Sequence, residues 1–176
     1  VIDDDQRLTY VALLAQVETT SVVLGDLGVQ RTGKVGVLAR NHVGTIVAMA
    51  AVDALGADLV LLNTGLTGPQ LAEVVREQRL TAVVHDDEFW PVIADLEVTR
   101  IPMSQVEEDT ARRTRPRFLR TVRGGRTIVL TSGTTGSPKG AARKTPPGFG
   151  PLATILDRIP FNAGERVLIS APIFHT

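Results

Sequence analysis

The sequence predicts an α/β fold in which a mostly parallel sheet carries helices on both faces. Short apolar runs without polar alternation recur along the chain, and such runs are typical of strands buried on both sides. Segments with helical start and stop residues separate them. The composition agrees with a globular domain, since 43% of the 176 residues are hydrophobic and the formal net charge is zero.

The first elements alternate between helix and strand. Thr9 can cap a helix that continues to Leu24, and its apolar residues fall near one helical face. A short apolar run over 34–39 predicts the first strand. An almost wholly apolar helix follows over 43–55 and ends near Gly56, because glycine commonly follows the last turn of a helix.

The same alternation continues through the rest of the chain. A buried strand over 58–62 is followed by a helix that begins around 67–69, where Pro69 suits the first turn. The remaining predicted strands are 81–85, 127–130 and 166–170, and the remaining short helices are 88–96 and 151–159.

Charge and residue usage exclude several classes of protein. The chain has no cysteine, so it forms no disulfide and no thiolate metal site. No apolar run is long enough to predict a membrane span, and we expect a cytoplasmic protein. Residues 103–126 predict a solvated connector that contains seven Arg between Arg112 and Arg126. The alternative for this segment is peripheral contact with phosphate or an anionic membrane surface. No aromatic ladder accompanies it, so nucleic-acid binding is not predicted.

The stretch TSGTTGSPKG follows the strand at 127–130 and predicts a phosphate-binding loop over 131–140. Glycine lets backbone N–H groups approach a ligand closely, and successive N–H groups can form an anion-binding nest. Hydroxyl side chains and one ammonium group add donors for a polyphosphate. The alternative is a flexible linker. The predicted phosphate-binding residues are Thr131, Ser132, Gly133, Thr134, Thr135, Gly136, Ser137, Pro138, Lys139 and Gly140.

These residues carry a resemblance to a known superfamily. The stretch over 131–140 resembles the phosphate-binding signature of adenylate-forming enzymes, [ST]-S-G-[ST]-[ST]-G-x-P-K-G, and all ten positions agree. The strand over 34–38 followed by Asn41 resembles a second motif of these enzymes, and 171–176 resembles a third. The resemblance covers nearly the whole chain and is strongest to fatty-acyl-CoA synthetases.

The resemblance implies a fold, a reaction and several site residues. The chain would be part of the large N-terminal domain of an AMP-binding enzyme, which joins a carboxylate to the α-phosphate of ATP and then transfers the acyl group to CoA. It implies ATP, Mg²⁺ and CoA as cofactors and a carboxylic acid, preferably a fatty acid, as substrate. The loop would hold the β- and γ-phosphates with Lys139 as their charge partner, and His175 would lie beside the acyl pocket.

Other motifs of the superfamily do not occur in these residues. The motif Y-G-x-T-E, the hinge and the C-terminal catalytic Lys are missing, and no metal ligand can be named. We therefore expect that 1–176 is one incomplete domain that is inactive alone, binds no cofactor tightly and self-associates. The alternatives are an amino-acid- or aryl-activating ligase or an acyl-AMP ligase of the same superfamily, and a non-catalytic binding module.

Overall fold

A six-stranded sheet organises the described part of the chain. The computed structural model describes residues 1–4, 6–113, 125–131, 139–142, 164 and 166–174. The strands in these residues are β1 (Lys34–Leu38), β2 (Asp58–Leu61), β3 (Ala82–His85), β4 (Thr99–Pro102), β5 (Thr127–Thr131) and β6 (Lys139–Ala142). The helices are α1 (Tyr10–Asp26), α2 (Val43–Leu55), α3 (Gly68–Gln78), α4 (Trp90–Ile93) and α5 (Met103–Ala111), and a 3₁₀ turn spans Asp87–Phe89.

The strand order across the sheet is β4-β3-β1-β2-β5-β6. The first five strands are parallel, and β6 alone runs antiparallel to its neighbour β5. The predicted α/β fold with a mostly parallel sheet is therefore confirmed. Since parallel strands bring their carboxyl ends to one edge, the segments after β1, β2, β3 and β5 emerge together.

Local chemistry sets the ends of the predicted helices. The side-chain oxygen of Thr9 accepts from the N–H of Ala12 at 3.1 Å and caps α1. Helix α2 ends at Gly56, whose φ of 93° is a left-handed conformation that glycine adopts without strain. At the start of α3, the side chain of Gln70 accepts from the N–H of Thr67 at 2.9 Å, which is half of a capping box.

Two hydrophobic cores lie on opposite faces of the sheet. Apolar residues of α1, α2 and α5 pack on one face, against strand residues that include Val35, Val37 and Val84. Apolar residues of α3 and α4 pack on the other face, against Val60 and Val83. Helices thus cover both faces, as the absence of polar alternation in the strands predicts.

The connector predicted over 103–126 is wrong in its first part. Residues Met103–Ala111 form α5, which buries Met103 and Val106 one helical turn apart. The hydroxyl groups of Thr20 and Thr110 lie 3.1 Å apart and join α1 to α5. Residues 114–124, which hold most of the Arg-rich segment, lie outside the described residues.

Two further predictions concern the end of the chain. The strand predicted over 166–170 is wrong, because these residues are irregular and exposed. The helix predicted over 151–159 lies outside the described residues. Within the described part of the chain, none of the helices combines the length and the apolar character needed to cross a bilayer.

Candidate functional site

The predicted phosphate loop begins and ends at paired positions of the sheet. Strand β5 runs parallel to β2, with Val129 opposite Leu61, so Thr131 lies at the carboxyl edge. Strand β6 returns antiparallel, and its first residue, Lys139, is the register partner of Thr131. The two ends of the loop are therefore held about 4.5–5.5 Å apart, the Cα separation of opposed residues in antiparallel strands.

The described residues contain part of the predicted site. Thr131, Lys139 and Gly140 belong to β5 and β6. The positions Ser132, Gly133, Thr134, Thr135, Gly136, Ser137 and Pro138 lie outside the described residues, and so does His175. The loop as a phosphate site stays a prediction. Its location beyond the carboxyl end of a parallel strand agrees with the place where open α/β sheets bind ligands.

A polar cluster occupies the same edge between β1 and β3. After β1 the chain enters α2 on one face, whereas after β3 it enters α4 on the other. Neighbouring strands whose connections diverge in this way leave a crevice at their carboxyl ends. The segments 40–42 and 86–88 line this crevice. The N–H of Arg40 donates to Oδ2 of Asp86 at 2.8 Å and ties the two segments together.

His42 and Asp86 form the half-buried part of this cluster. Nε2 of His42 lies 2.9 Å from Oδ1 of Asp86, and Nδ1 accepts from the N–H of Thr45 at 3.3 Å. The hydrogen bond to Asp86 raises the pKa of His42, and the charges of Glu107 and Asp3 act in the same direction against partial burial. His42 thus both caps α2 and links it to the end of β3.

Arg40 and Glu88 form the exposed part of the cluster. The guanidinium donates from Nε and from its second terminal nitrogen to the two carboxylate oxygens, at 2.5 and 2.8 Å. This hydrogen bonding lowers the pKa of Glu88. Because both side chains are about half exposed or more, solvent screening leaves the pair a small contribution to stability.

Asn41, which lies between Arg40 and His42 in the sequence, binds a segment near the end of the chain. Its Nδ2 donates to the carbonyl oxygen of Ala171 at 2.8 Å. Its Oδ1 accepts from the N–H of Ile173 at 2.9 Å. No pattern in the sequence predicts this contact, because the partners are about 130 residues apart; the one available signal is an Asn directly after the predicted first strand.

Two clefts flank the polar cluster on the helix side. One, of about 480 Å³, lies over 40–42 and 86–88. The other, of about 520 Å³, lies among α1, α2 and α5. Glu107 lines both clefts, and burial raises its pKa, which the positive charge of His42 partly opposes.

The described residues offer no metal site. Within these ranges, no group of three or more His, Asp or Glu side chains is placed to hold a metal ion. The residues that would hold the Mg²⁺ implied by the resemblance therefore cannot be named from the described ranges.

The fold and the edge site define an α/β domain that presents a Gly- and hydroxyl-rich loop beyond the carboxyl end of a parallel strand. The chain belongs to the AMP-binding enzyme family, whose model matches residues 1–176. This confirms the resemblance drawn from the motif over 131–140. The family model and the fold agree that the chain is from the N-terminal domain of adenylate-forming enzymes.

Individual relatives agree with this assignment. A 2-succinylbenzoate–CoA ligase of Bacillus mycoides is 32% identical over 143 residues, which are 78% of this chain and 28% of that protein. The O-succinylbenzoate coenzyme A synthetase of Bacillus subtilis, solved in complex with AMP, has the same fold. Its TM-score is 0.82 at 23% identity, over 99% of this chain and 46% of that one.

A third relative is named for a different acid. The fatty acyl CoA synthetase of Mycobacterium tuberculosis has a TM-score of 0.70 at 26% identity, over 80% of this chain and 30% of that chain. Of the curated 2-succinylbenzoate–CoA ligase that it matches, this chain spans less than a third.

Proposed function

We propose that this chain is the phosphate-binding part of a carboxylate–CoA ligase that forms an acyl-adenylate. The observation that carries the proposal is the motif over 131–140, flanked by β5 and β6 at the carboxyl edge of the sheet. Membership of the AMP-binding family and the CoA ligases among its relatives support it.

The proposed reaction has two steps. A carboxylate oxygen of the substrate attacks the α-phosphorus of ATP, the bond from that phosphorus to the bridging oxygen of the β-phosphate breaks, and pyrophosphate leaves. The thiol of CoA then loses its proton and attacks the acyl carbon, and AMP leaves with the electron pair of the broken acyl–oxygen bond. The products are the thioester, AMP and pyrophosphate.

The residues of this chain act in the first step. Charge develops on the departing pyrophosphate, and preorganised donors stabilise such charge most when they are already in place. The backbone N–H groups of the Gly-rich loop and the ammonium of Lys139 are the proposed donors. Pairing of Thr131 with Lys139 supports this role, because it fixes both ends of the loop relative to the sheet.

The proposed substrate class is an aryl carboxylic acid. A fatty acid, which the resemblance favoured, is not supported by the curated Bacillus relatives at 30–32% identity, which are named for 2-succinylbenzoate. The aryl-activating alternative fits them better. The similarity to a fatty acyl CoA synthetase keeps fatty acids as the second candidate.

Pyrophosphate release tests the proposal. The full-length protein encoded by the gene is incubated with ATP, Mg²⁺ and one acid from a panel of 2-succinylbenzoate, benzoate, hydroxybenzoate, fatty acids and amino acids. Thioester formation with CoA is followed in parallel. We expect acid-dependent pyrophosphate release with a higher kcat/KM for aryl acids than for fatty acids.

Each other outcome has a defined meaning. A preference for fatty acids would overturn the aryl assignment and leave the ligase proposal in place. Adenylate without thioester would identify an acyl-AMP ligase. No acid-dependent pyrophosphate release from any member of the panel would contradict the ligase proposal and favour the non-catalytic binding module.

A further inference from the structure

The side chain of Asn41 makes the same two hydrogen bonds that a residue of a parallel strand would make. In a parallel pair, one residue donates to the carbonyl before its partner and accepts from the N–H after it. The amide of Asn41 donates to Ala171 and accepts from Ile173, on either side of Pro172. Pro172 has no N–H, and this pattern requires none from it.

The backbone that carries Asn41 is itself fixed on both sides. The N–H of Arg40 donates to Asp86 at 2.8 Å, and the carbonyl of Arg40 accepts from the hydroxyl of Thr45 at 2.6 Å. On the other side, His42 binds Asp86 at 2.9 Å. The amide therefore projects from a turn that is anchored to β3 and to the first turn of α2.

The segment that Asn41 binds passes from exposed to partly buried residues at the point of contact. Residues 166–172 are exposed, whereas Ile173 and Phe174 are partly buried. Phe174 packs against the hydrophobic core that α1 and α2 share. The polar contact at Asn41 and the apolar contact at Phe174 together bring this segment to the carboxyl edge of the sheet.

We propose that Asn41 is a positioning residue that holds 171–173 at the sheet edge and so sets the point from which the chain reaches the acyl site. This inference rests on the proposed function and on the resemblance, which implies that His175 lies beside the acyl pocket. Asn41 acts through the segment and not on the substrate itself.

Two variants of Asn41 separate the two hydrogen bonds. Asn41→Ala removes both of them. Asn41→Asp is nearly the same size, keeps the acceptor for Ile173 and loses the donor to Ala171. Its charge also faces the carbonyl oxygen of Ala171, so we expect weaker binding of the segment although the acceptor remains.

Asn63 provides a matched control. It lies at the same edge after β2, and its Oδ1 accepts from the N–H of Gly65 at 2.8 Å, within its own turn. The substitution Asn63→Ala therefore removes an Asn side chain of the same kind from the neighbouring strand end without touching 171–173.

Amide hydrogen exchange of Ile173 measures the contact without any activity. In the wild-type protein this N–H should exchange slowly relative to those of Leu168 and Ile169. Asn41→Ala removes its acceptor and should accelerate the exchange about three- to tenfold, which corresponds to the loss of one hydrogen bond. Asn41→Asp keeps that acceptor and should accelerate the exchange less. Asn63→Ala should leave it at the wild-type rate. Unchanged exchange in a folded Asn41→Ala variant would overturn the proposal.

Steady-state kinetics of the full-length protein measure the consequence. Asn41→Ala should raise KM for the carboxylic acid about three- to tenfold and change KM for ATP less than about twofold, because the phosphate loop follows a different strand. Equal changes in both KM values would refute the positioning role. If the wild type shows no ligase activity, the proposed function fails, whereas the contact of Asn41 is still decided by the exchange of Ile173.

Discussion

Nε2 of His42 lies 2.9 Å from Oδ1 of Asp86, a contact that joins the start of α2 to the end of β3. Nδ1 of the same ring accepts from the N–H of Thr45, so the neutral ring carries its proton on Nε2. One side chain thus serves as helix cap and as the partner of a carboxylate, and its charge state affects both elements.

The contribution of His42 to stability should depend on pH. The hydrogen bond to Asp86 raises its pKa in the folded protein above the ordinary value of 6.5. The stabilisation from the charged pair with Asp86 is then fully present below the unfolded pKa and is lost as the pH rises through the folded pKa. The cap on α2 needs the neutral ring and acts in the opposite direction. We expect His42→Gln to lower the free energy of unfolding more at about pH 5.5 than at about pH 8.5. Urea denaturation of both proteins at each pH measures this, and an equal loss at both would contradict it.

The effect of Glu107 on the free energy of unfolding should also depend on pH. Burial raises its pKa in the folded protein above 4.5, so the charged form destabilises the fold. This destabilisation is absent below the unfolded pKa, grows as the pH rises from the unfolded to the folded pKa, and is complete above the folded pKa. Glu107→Gln should therefore be more stable than wild type at neutral pH and lose that advantage at about pH 4. Glu108→Gln is the control, since the exposed Glu108 pairs with Arg112 and should give no such gain.

Gly36 should not tolerate a larger side chain. It lies in β1 between two neighbouring strands, and a Cβ there would be 2.7 Å from Cδ1 of Leu62 and 2.9 Å from Cδ1 of Leu80. Gly36→Ala should destabilise the protein by about 1–3 kcal/mol through overpacking. In Gly25→Ala the nearest atom, on Leu55, is 3.8 Å away, so this variant should be neutral or more stable. Thermal unfolding compares the two, and equal melting temperatures would count against the packing argument.

Lys139 should contribute to adenylate formation in the full-length protein. Its substitution by Ala should slow pyrophosphate release about 10²–10³-fold, the usual loss for one donor to developing negative charge. Lys139→Arg should recover only part of the rate, because a planar guanidinium reaches the phosphates differently. Lys34 lies at the opposite edge of the sheet, at the amino end of β1, and Lys34→Ala is the control. A fully active Lys139→Ala protein would remove the phosphate role from the loop.

The exposed apolar residues near the end of the chain should promote self-association. Val167, Leu168 and Ile169 are 61%, 87% and 63% exposed, and contiguous apolar surface favours association. Sedimentation velocity of the 176-residue chain should show concentration-dependent association that Leu168→Ser reduces. Val11 on α1 is 81% exposed, so Val11→Ser tests whether α1 is the contact instead. A monomer at all concentrations would contradict the expectation.

The sequence predicts the buried strands well because a strand covered on both faces needs a continuous run of apolar residues. Strands β1, β2 and β3 have continuous apolar runs, and the structure pairs them in one parallel sheet. The edge strand β4 is missed, since only one of its four residues is buried and no apolar run marks it. Strand β6 is missed because Gly140 and two Ala give little β-propensity.

The errors in the helical and terminal segments have similar physical causes. In α5 only Met103 and Val106 are buried. The acidic residues after them therefore resemble a solvated connector more than a helix that packs on the core. The apolar stretch 166–170 suggests a strand, but in the structure it lies exposed. For the site, motif chemistry predicts the loop between β5 and β6. The contact of Asn41 with Ile173 depends on tertiary structure, which periodicity and local propensity do not predict.

The pairing of β5 with β2 has a consequence for the order of folding during synthesis. All four strands β1 to β4 leave the ribosome before β5, and domains begin to fold from the N-terminus as they emerge. The β5–β6 hairpin then docks on an edge, β2, that is already part of a sheet, across 65 intervening residues from Leu61 to Thr127. Closing so long a loop is slow relative to forming the local βαβ contacts. We therefore expect the edge that carries the predicted phosphate loop to mature after the core that supports it.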